Sequence, residues 1–548
     1  MKNSFFFLAL VLGTTAFAQT DTTHRKGGEW TKWDAAISLQ AEAHHSTRKD
    51  ALRNTANTYV VGTVQNKYVE IGGRYEHLTQ PLPGHEAERG HGLAHLYAKV
   101  RRSGWGEITL GDFYEQLGSG IAFRAYEDRA LGIDNAVRGG RIVIMPFRGL
   151  TLKGLAGQQR LHFDRNGKIF QSQRGYVGAT DAEYRFEMSG QQFSLGATMV
   201  GWHEEQTPIK RFENGVLKRF RQPENHGIWA ARLGYTGGKA DVYFEHATKT
   251  ANPNAANFYT LRSGQVQMLT FSYADRGWGV MLGARRSDNF DNHSLRTETG
   301  NDQRINHLPP FAPEQSYTLA ALHPYATQPQ SEWAWQAEGR YLLKRGTALG
   351  GRYGARLKVS AAYVNALDRA TTSQEAYTHG RRPSYFGHGE KLFHDFTFEV
   401  SKKISASYSF TALYSHQDYN QRAIEGHADN GNHVKSHIFV YDGKHRLNKK
   451  ITLRTELQYL HSKQADGNWL YGMAELSVAP YLVFSVSDQW NSSRSNRHYP
   501  MLSVAGTYKA HRLQLGVGKT REGINCSGGV CRLMPATEGA YLSYTLNF

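Results

Sequence analysis

Along most of the chain, apolar and polar side chains alternate in runs of about ten residues, the period-two pattern of strands with one apolar and one polar face. Ala94-Leu96-Ala98-Val100, Phe193-Leu195-Ala197-Met199, Trp333-Trp335-Ala337 and Phe396-Phe398-Val400 are examples. The last run places Ala540, Leu542, Tyr544, Leu546 and Phe548 on one face and Tyr541, Ser543, Thr545 and Asn547 on the other. About 24 such runs can be counted.

What separates the runs is as informative as the runs. Tight turns are predicted at Gln65-Asn66, Ser103 to Gly106, Pro146 to Gly149, Ser189-Gly190, Thr236 to Lys239, Asp275 to Gly277, Lys344 to Gly346, Ser401 to Lys403, Asn448 to Lys450 and Ala479-Pro480. Between consecutive turns lie two strands joined by a longer polar stretch, at residues 79–91, 115–137, 205–225, 289–329, 367–389, 419–432 and 521–538. Short and long connections therefore alternate, as periplasmic turns and external loops do in outer-membrane barrels. A soluble sandwich has no reason to keep that rhythm over the whole chain. The pattern predicts an all-β fold, a transmembrane antiparallel β-barrel of about 22 to 24 strands.

The N-terminus refines this. Met1-Lys2-Asn3, the apolar run to Gly13 and the small-x-small site Ala16-Phe17-Ala18 read as a secretory signal peptide over residues 1–18. A short segment, 19–29, precedes a single barrel domain, 30–548, whose strands are expected to begin near Trp30 to Trp33. That start leaves no room for an N-terminal plug domain, so a wide lumen would be filled by loops or by a partner. Mean hydropathy is -0.57 although 12% of residues are aromatic. Lipid-facing positions diluted by lumen-facing ones give this combination.

The most distinctive stretch runs from Leu110-Gly111-Asp112-Phe113 through Gly118-Ser119-Gly120 to Arg138-Gly139-Gly140-Arg141. From Glu115 onward it holds Arg124, Arg129, Arg138 and Arg141 against Glu115, Glu127, Asp128 and Asp134. Charges so dense need water or each other. Two readings stand: a loop folded into the lumen as a polar constriction, or a salt-bridge network that braces the barrel and selects nothing. Gly118-Ser119-Gly120 as a nucleophile or phosphate loop has no identifiable partner base.

Leu110 to Arg141, together with Glu522 to Pro535, resembles a family of uncharacterised outer-membrane barrel proteins of the Bacteroidota. The resemblance implies a location and a fold, and supplies no substrate or catalytic residue.

Cys526 and Cys531, separated by Ser527-Gly528-Gly529-Val530, are expected to form a local disulfide in an exported protein, in a loop that the alternation makes external. Two cysteines do not make a zinc site. His91 with His95 and His433 with His437 have a helical metal-ligand spacing, but both pairs fall on strand-like alternation, so no metal or cofactor is expected. The formal charge of +17 points to lipopolysaccharide phosphates or an anionic solute, and most of it to wet loops and rims; nucleic acid is not an expected partner. A non-enzymatic barrel follows, either a channel for small hydrophilic solutes or a scaffold for a protein partner. A rim enzyme acting on lipid or peptide and an adhesin using loop 289–329 are the alternatives.

Overall fold

The alternating runs become strands that pair with their neighbours in the chain, and in the computed structural model they close into a ring. Twenty-four antiparallel strands form one sheet, from Asp34–Ser46 to Thr537–Asn547. The last pairs with the first from Ser38↔Asn547 to Ser46↔Gly539, so the ring has no edge. The structure describes residues 32–79, 89–163, 171–205, 209–213, 215–369, 372–426, 433–527 and 530–548. The signal-peptide reading and Trp30 lie outside these, and the first described strand begins at Asp34.

Connections alternate as predicted. At one end are turns such as 189–190, 238–239 and 276–277. Ser189 and Gly190 both take positive φ (53° and 73°), the tight-hairpin geometry that matches strand twist. At the other end are 114–136, 204–224, 289–330 and 366–390. Some boundaries differ from the sequence reading. Ser401 to Lys403 end the strand Lys391–Lys403, and the turn is 404–407. Connections 47–53, 250–263, 463–468 and 492–497 add to the longer stretches expected from the sequence.

The two faces of the wall differ as barrel physics requires. Ile108, Leu195, Leu233, Leu282, Phe439 and Leu502 point outward and stay exposed, an apolar exterior. Near the short turns, Phe147, Tyr184, Phe186, Phe193 and Tyr235 stack in a continuous outward row, the aromatic girdle of such walls. The buried core lies inside. One cluster gathers Val177, Val200, Ile228, Ala247 and Val266 from successive strands and packs them on Leu117, Ile121, Phe123, Phe290 and Ile305 from the long connections. Among the described residues, no helix is long and apolar enough to cross a membrane.

Candidate functional site

The site follows from a local shortage of strand. Gly106–Phe113 and Val137–Ile144 have eight residues each, whereas the flanking Gly90–Arg102 and Leu150–Phe163 have 13 and 14. Phe113 pairs with Val137, so segment 114–136 leaves and re-enters the wall below the rim of its neighbours. It forms two small hairpins, Glu115–Leu117 with Phe123–Ala125 and Glu127–Asp128 with Ile133–Asp134. At its tip the Ser119 N–H donates to Glu245 Oε2 at 3.1 Å, and near its end Glu127 pairs with Arg74 at 2.9 Å. Those partners belong to Ala240–Lys249 and Val69–Leu78, the eleventh and third strands of the ring. One segment touching both lies across the interior. Gly118 makes the approach possible: its φ is +57°, and a Cβ there would lie 2.9 Å from Glu245 Oε1.

The charges are paired, but mainly with the wall. Asp134 lies between the guanidiniums of Arg74 and Arg160, and both arginines also bind Glu76. Burial pushes the Asp134 carboxyl up, yet Arg160 and Arg74 outweigh it and hold the group below the usual carboxylate range. The Tyr114 hydroxyl donates to Asp134 at 3.0 Å, and its ring stacks on His95. Glu127 also accepts from Arg129 at 2.5 Å. Glu115 binds Arg141 and, at 2.9 Å, Lys153; Arg141 in turn binds Glu107. Breaking one member of such a buried set leaves an uncompensated charge, at a cost of about 3–5 kcal/mol.

Four of the eight sequence candidates depart from the expected mutual pairing: Asp134, bound by Arg74 and Arg160 of the wall, and Arg138, Asp128 and Arg124. Arg138 lies three residues before Arg141 on one strand, so the two project from opposite faces. Arg138 instead forms a two-pronged bond to Asp112 at 2.8 Å. Asp128 accepts from the backbone N–H groups of Ala130 and Leu131, a turn-forming role. The Arg124 guanidinium lies over the Tyr126 ring at 4.0 Å and has no carboxylate partner among the described residues. Glu76, Glu127 and Asp134 converge closely enough to hold a cation, but Arg74, Arg160 and Arg129 already neutralise them.

Sequence reasoning missed the larger part of the site. Residues 289–330 form an interior segment, not the exposed loop expected. Ile305, Leu308, Phe311, Leu319 and Leu322 are buried against the inner wall. The segment reaches far round the ring, the Leu319 N–H donating to Gln458 Oε1 at 2.8 Å. It joins the first segment through Arg124 N–H to Ile305 O (2.8 Å), His307 N–H to Gly120 O (3.0 Å) and the Asn135 amide to Arg304 O (2.8 Å). Burial, then Arg124, Arg304 and Arg285, hold the His307 ring down to about 3. The available signal was the run of large apolar residues inside a supposed loop, which water would not accommodate.

The disulfide hairpin also turns inward. Cys526 and Cys531 are bonded and directly opposite each other, with Cα atoms 4.1 Å apart. Val530 packs on Leu131 and Ile133 of the first segment, so this connection rests on the interior structure and does not stand free.

The plug formed by the two long segments covers only part of the wall. Thr198, Val200 and Trp202 are buried under it, but Ser194 and Gln192, further toward the short turns on the same face, are not. From Trp469–Val478 round through the seam to Asn54–Gln65, most inward positions remain in contact with solvent. Ser485, Ser487, Gln489, Ser503, Gln514 and Ser543 line this arc. Arg129 stands at its border, bonded to Gln40 at 2.8 Å and lying over Tyr59 at 4.2 Å.

The family described as "Family of unknown function (DUF6029)" matches residues 1–548. The chain belongs to this family. No curated protein matches it. Solved structures that resemble it include the P pilus usher PapC translocation pore, at 10% identity over 94% of this chain and 99% of that one, with a TM-score of 0.39. Another is the ferric enterobactin receptor PfeA of Pseudomonas aeruginosa, at 10% identity over 96% and 81%, with a TM-score of 0.40. A third is the E. coli P pilus tip assembly intermediate PapC-PapD-PapK-PapG, at 10% identity over 96% and 62%, with a TM-score of 0.48.

Proposed function

We propose that this protein is an outer-membrane channel for small, uncharged hydrophilic solutes, with its long connections facing outward and its lumen narrowed by the plug. The uncovered arc carries the reading. Its inward face offers hydroxyls and amides at Ser485, Ser487, Gln489, Ser503, Gln514 and Ser543, groups that replace water around a neutral polar solute without imposing a strong field. An anion-selective lumen would instead display unpaired cations. At the plug, Arg74, Arg141 and Arg160 are each held by carboxylates. Arg129 and Glu127, paired with each other beside the arc, are the constriction residues this reading selects from the charged set.

Planar-bilayer recording with liposome swelling tests it. The expected result is a steady conductance with weak ion selectivity, and swelling driven by small neutral sugars or amides. A membrane that stays electrically silent and liposomes that do not swell, from protein shown to be folded, would overturn the reading.

A further inference from the structure

The outer wall carries a row of imidazoles that the channel does not use. On the strands Tyr408–Asn420, His433–Arg446 and Ile451–Ser462, His416 is directly opposite His437, and His437 directly opposite His461. Inward positions beside them, Ser415, Gln417, Ser436, Ile438 and Leu460, are buried in the lumen, so the histidines face outward. The His416 and His437 rings are 4.6 Å apart, and His394 adjoins His416 at 6.0 Å. All four lie close to the long-connection end of their strands. His416 Nδ1 is enclosed and has no hydrogen-bond partner, whereas His437 Nδ1 meets the Tyr414 hydroxyl and His461 Nδ1 meets Asn468 Oδ1, each at 2.9 Å, which leaves their Nε2 atoms for a ligand. Beyond the row, toward the loops, Lys435 and Lys463 are exposed. The nearby carboxylate of Asp418 is already bound by Lys391 and by His433 at 2.7 Å.

His394 also belongs to a second feature. A groove of 460 Å³ runs over the outward faces of the adjoining strands, floored by Ala284, Ala337 and Ala361 and flanked by Phe271, Trp335 and Tyr363. Small side chains between aromatic ones make a furrow in an otherwise convex apolar wall. One end of it is lined by His394, so an apolar channel and a row of N–H donors are continuous.

From this amphipathic pairing, and resting on the outer-membrane reading above, we infer that the wall holds a phosphate-bearing lipid of the outer leaflet, the bisphosphorylated anchor of lipopolysaccharide. One acyl chain lies in the Ala284–Ala337–Ala361 furrow, and a phosphate meets His416, His437 and His461 below Lys435 and Lys463. A neutral imidazole has one N–H to give; His461, whose Nδ1 faces the Asn468 Oδ1 acceptor at 2.9 Å, offers one to the phosphate only when protonated, and a protonated ring adds a charge-assisted bond. The furrow and the donors adjoin on the wall, Ala337 and Ala361 running in register through Phe396 to His416, His437 and His461, and Lys435 and Lys463 lie two residues further toward the long connections.

The test is native mass spectrometry of the detergent-extracted protein, titrated with bisphosphoryl lipid A and, separately, with phosphatidylethanolamine. Membrane fractionation and heat-dependent electrophoretic mobility are run on the same preparations. Wild type is expected to retain lipid A at least about tenfold more tightly than a His416→Ala/His437→Ala/His461→Ala variant, and to show no such difference with phosphatidylethanolamine. Ala337→Trp, which fills the furrow and leaves the donors intact, is expected to weaken lipid A binding as well. Protein that fractionates to the outer membrane and shifts on heating, yet binds lipid A equally well in all three forms, overturns this inference and leaves the channel reading intact. A dimer mass lost in Ala337→Trp also overturns it, because the furrow then holds a second copy of the chain. Absence from the outer membrane overturns the reading on which the inference rests.

Discussion

Two arcs of one wall obey different rules. From Val137–Ile144 to Ile451–Ser462 the inward face, in its outer half, is a protein interior: Val200, Ile228, Ala247 and Val266 pack on loop residues, and Arg232 is sealed between Asp181 and Glu183. From Trp469–Val478 to Asn54–Gln65 the inward face carries Ser, Gln and Thr, half open to solvent. Strand geometry and exterior are alike in both. What differs is whether a connection lies against the inside, and the side chains follow: apolar or mostly paired where covered, largely polar where wet, with Glu42, Glu475 and Arg512 among them. The composition of a lumen face thus reports its neighbour in the lumen more than its place in the barrel.

The largest expected effect comes from erasing the difference between the arcs. Deleting residues 116–134 leaves Tyr114, Glu115, Asn135 and Ala136 to connect Phe113 to Val137, partners already in register. Single-channel conductance should rise several-fold while mobility without boiling stays that of a folded barrel. Unchanged conductance would mean that the segment does not obstruct the path.

A matched pair of substitutions sharpens the contrast energetically. Arg160→Met strips the guanidinium from Glu76 and Asp134 in the covered arc, and should destabilise docking of the plug by about 3–5 kcal/mol. Glu42→Gln, exposed on the uncovered arc, should change stability by less than about 0.5 kcal/mol. Hydrogen exchange of segment 114–136 reads both, and equal effects would remove the distinction.

Acidity should act on the covered arc through His307. The His307 ring is held to about 3, below its ordinary value, so the unfolded segment takes up a proton more readily than the docked one. Its contribution is complete above the ordinary histidine range and is lost progressively as pH falls toward about 3. Asp134, also held low, withdraws its own contribution only at still more acid pH. Channel noise from plug opening should therefore grow as pH falls below about 6, and His307→Gln should flatten that rise. A pH-independent trace would contradict this.

The smallest effect belongs to the hairpin between the arcs. Cys526→Ser should leave assembly intact and cost about 2 kcal/mol or less, seen as faster exchange at Leu131 and Ile133, where Val530 rests. Identical exchange would show that the disulfide does not hold this contact.

The barrel was legible because alternation and turn chemistry are local. Ser189-Gly190 and the period of Phe193-Leu195-Ala197-Met199 are set by backbone sterics and a two-sided environment. The disulfide was legible for the same reason, since its partners are close in sequence. The plug was half legible. Charge density marked 115–141, but the partners that matter, Arg74, Glu76, Arg160 and Glu245, are on other strands, and no spacing rule names them. Parity would have separated Arg138 from Arg141 at the outset. Polarity and length point residues 289–329 to the exterior, but Leu308, Phe311 and Leu319 are stable only under cover.

The wiring of the plug sets an order of events in time. Segment 114–136 is made with the fifth and sixth strands, but its partners include Glu245, Arg304 and Ile305, and the ring itself is sealed only when residues 539–547 meet 38–46. Contacts so distant in sequence form late, after the chain between them has been organised. The segment must wait, unsatisfied, while much of the wall is laid down beside it. A newborn barrel of this kind passes through a wide-bored stage, and its plug docks last.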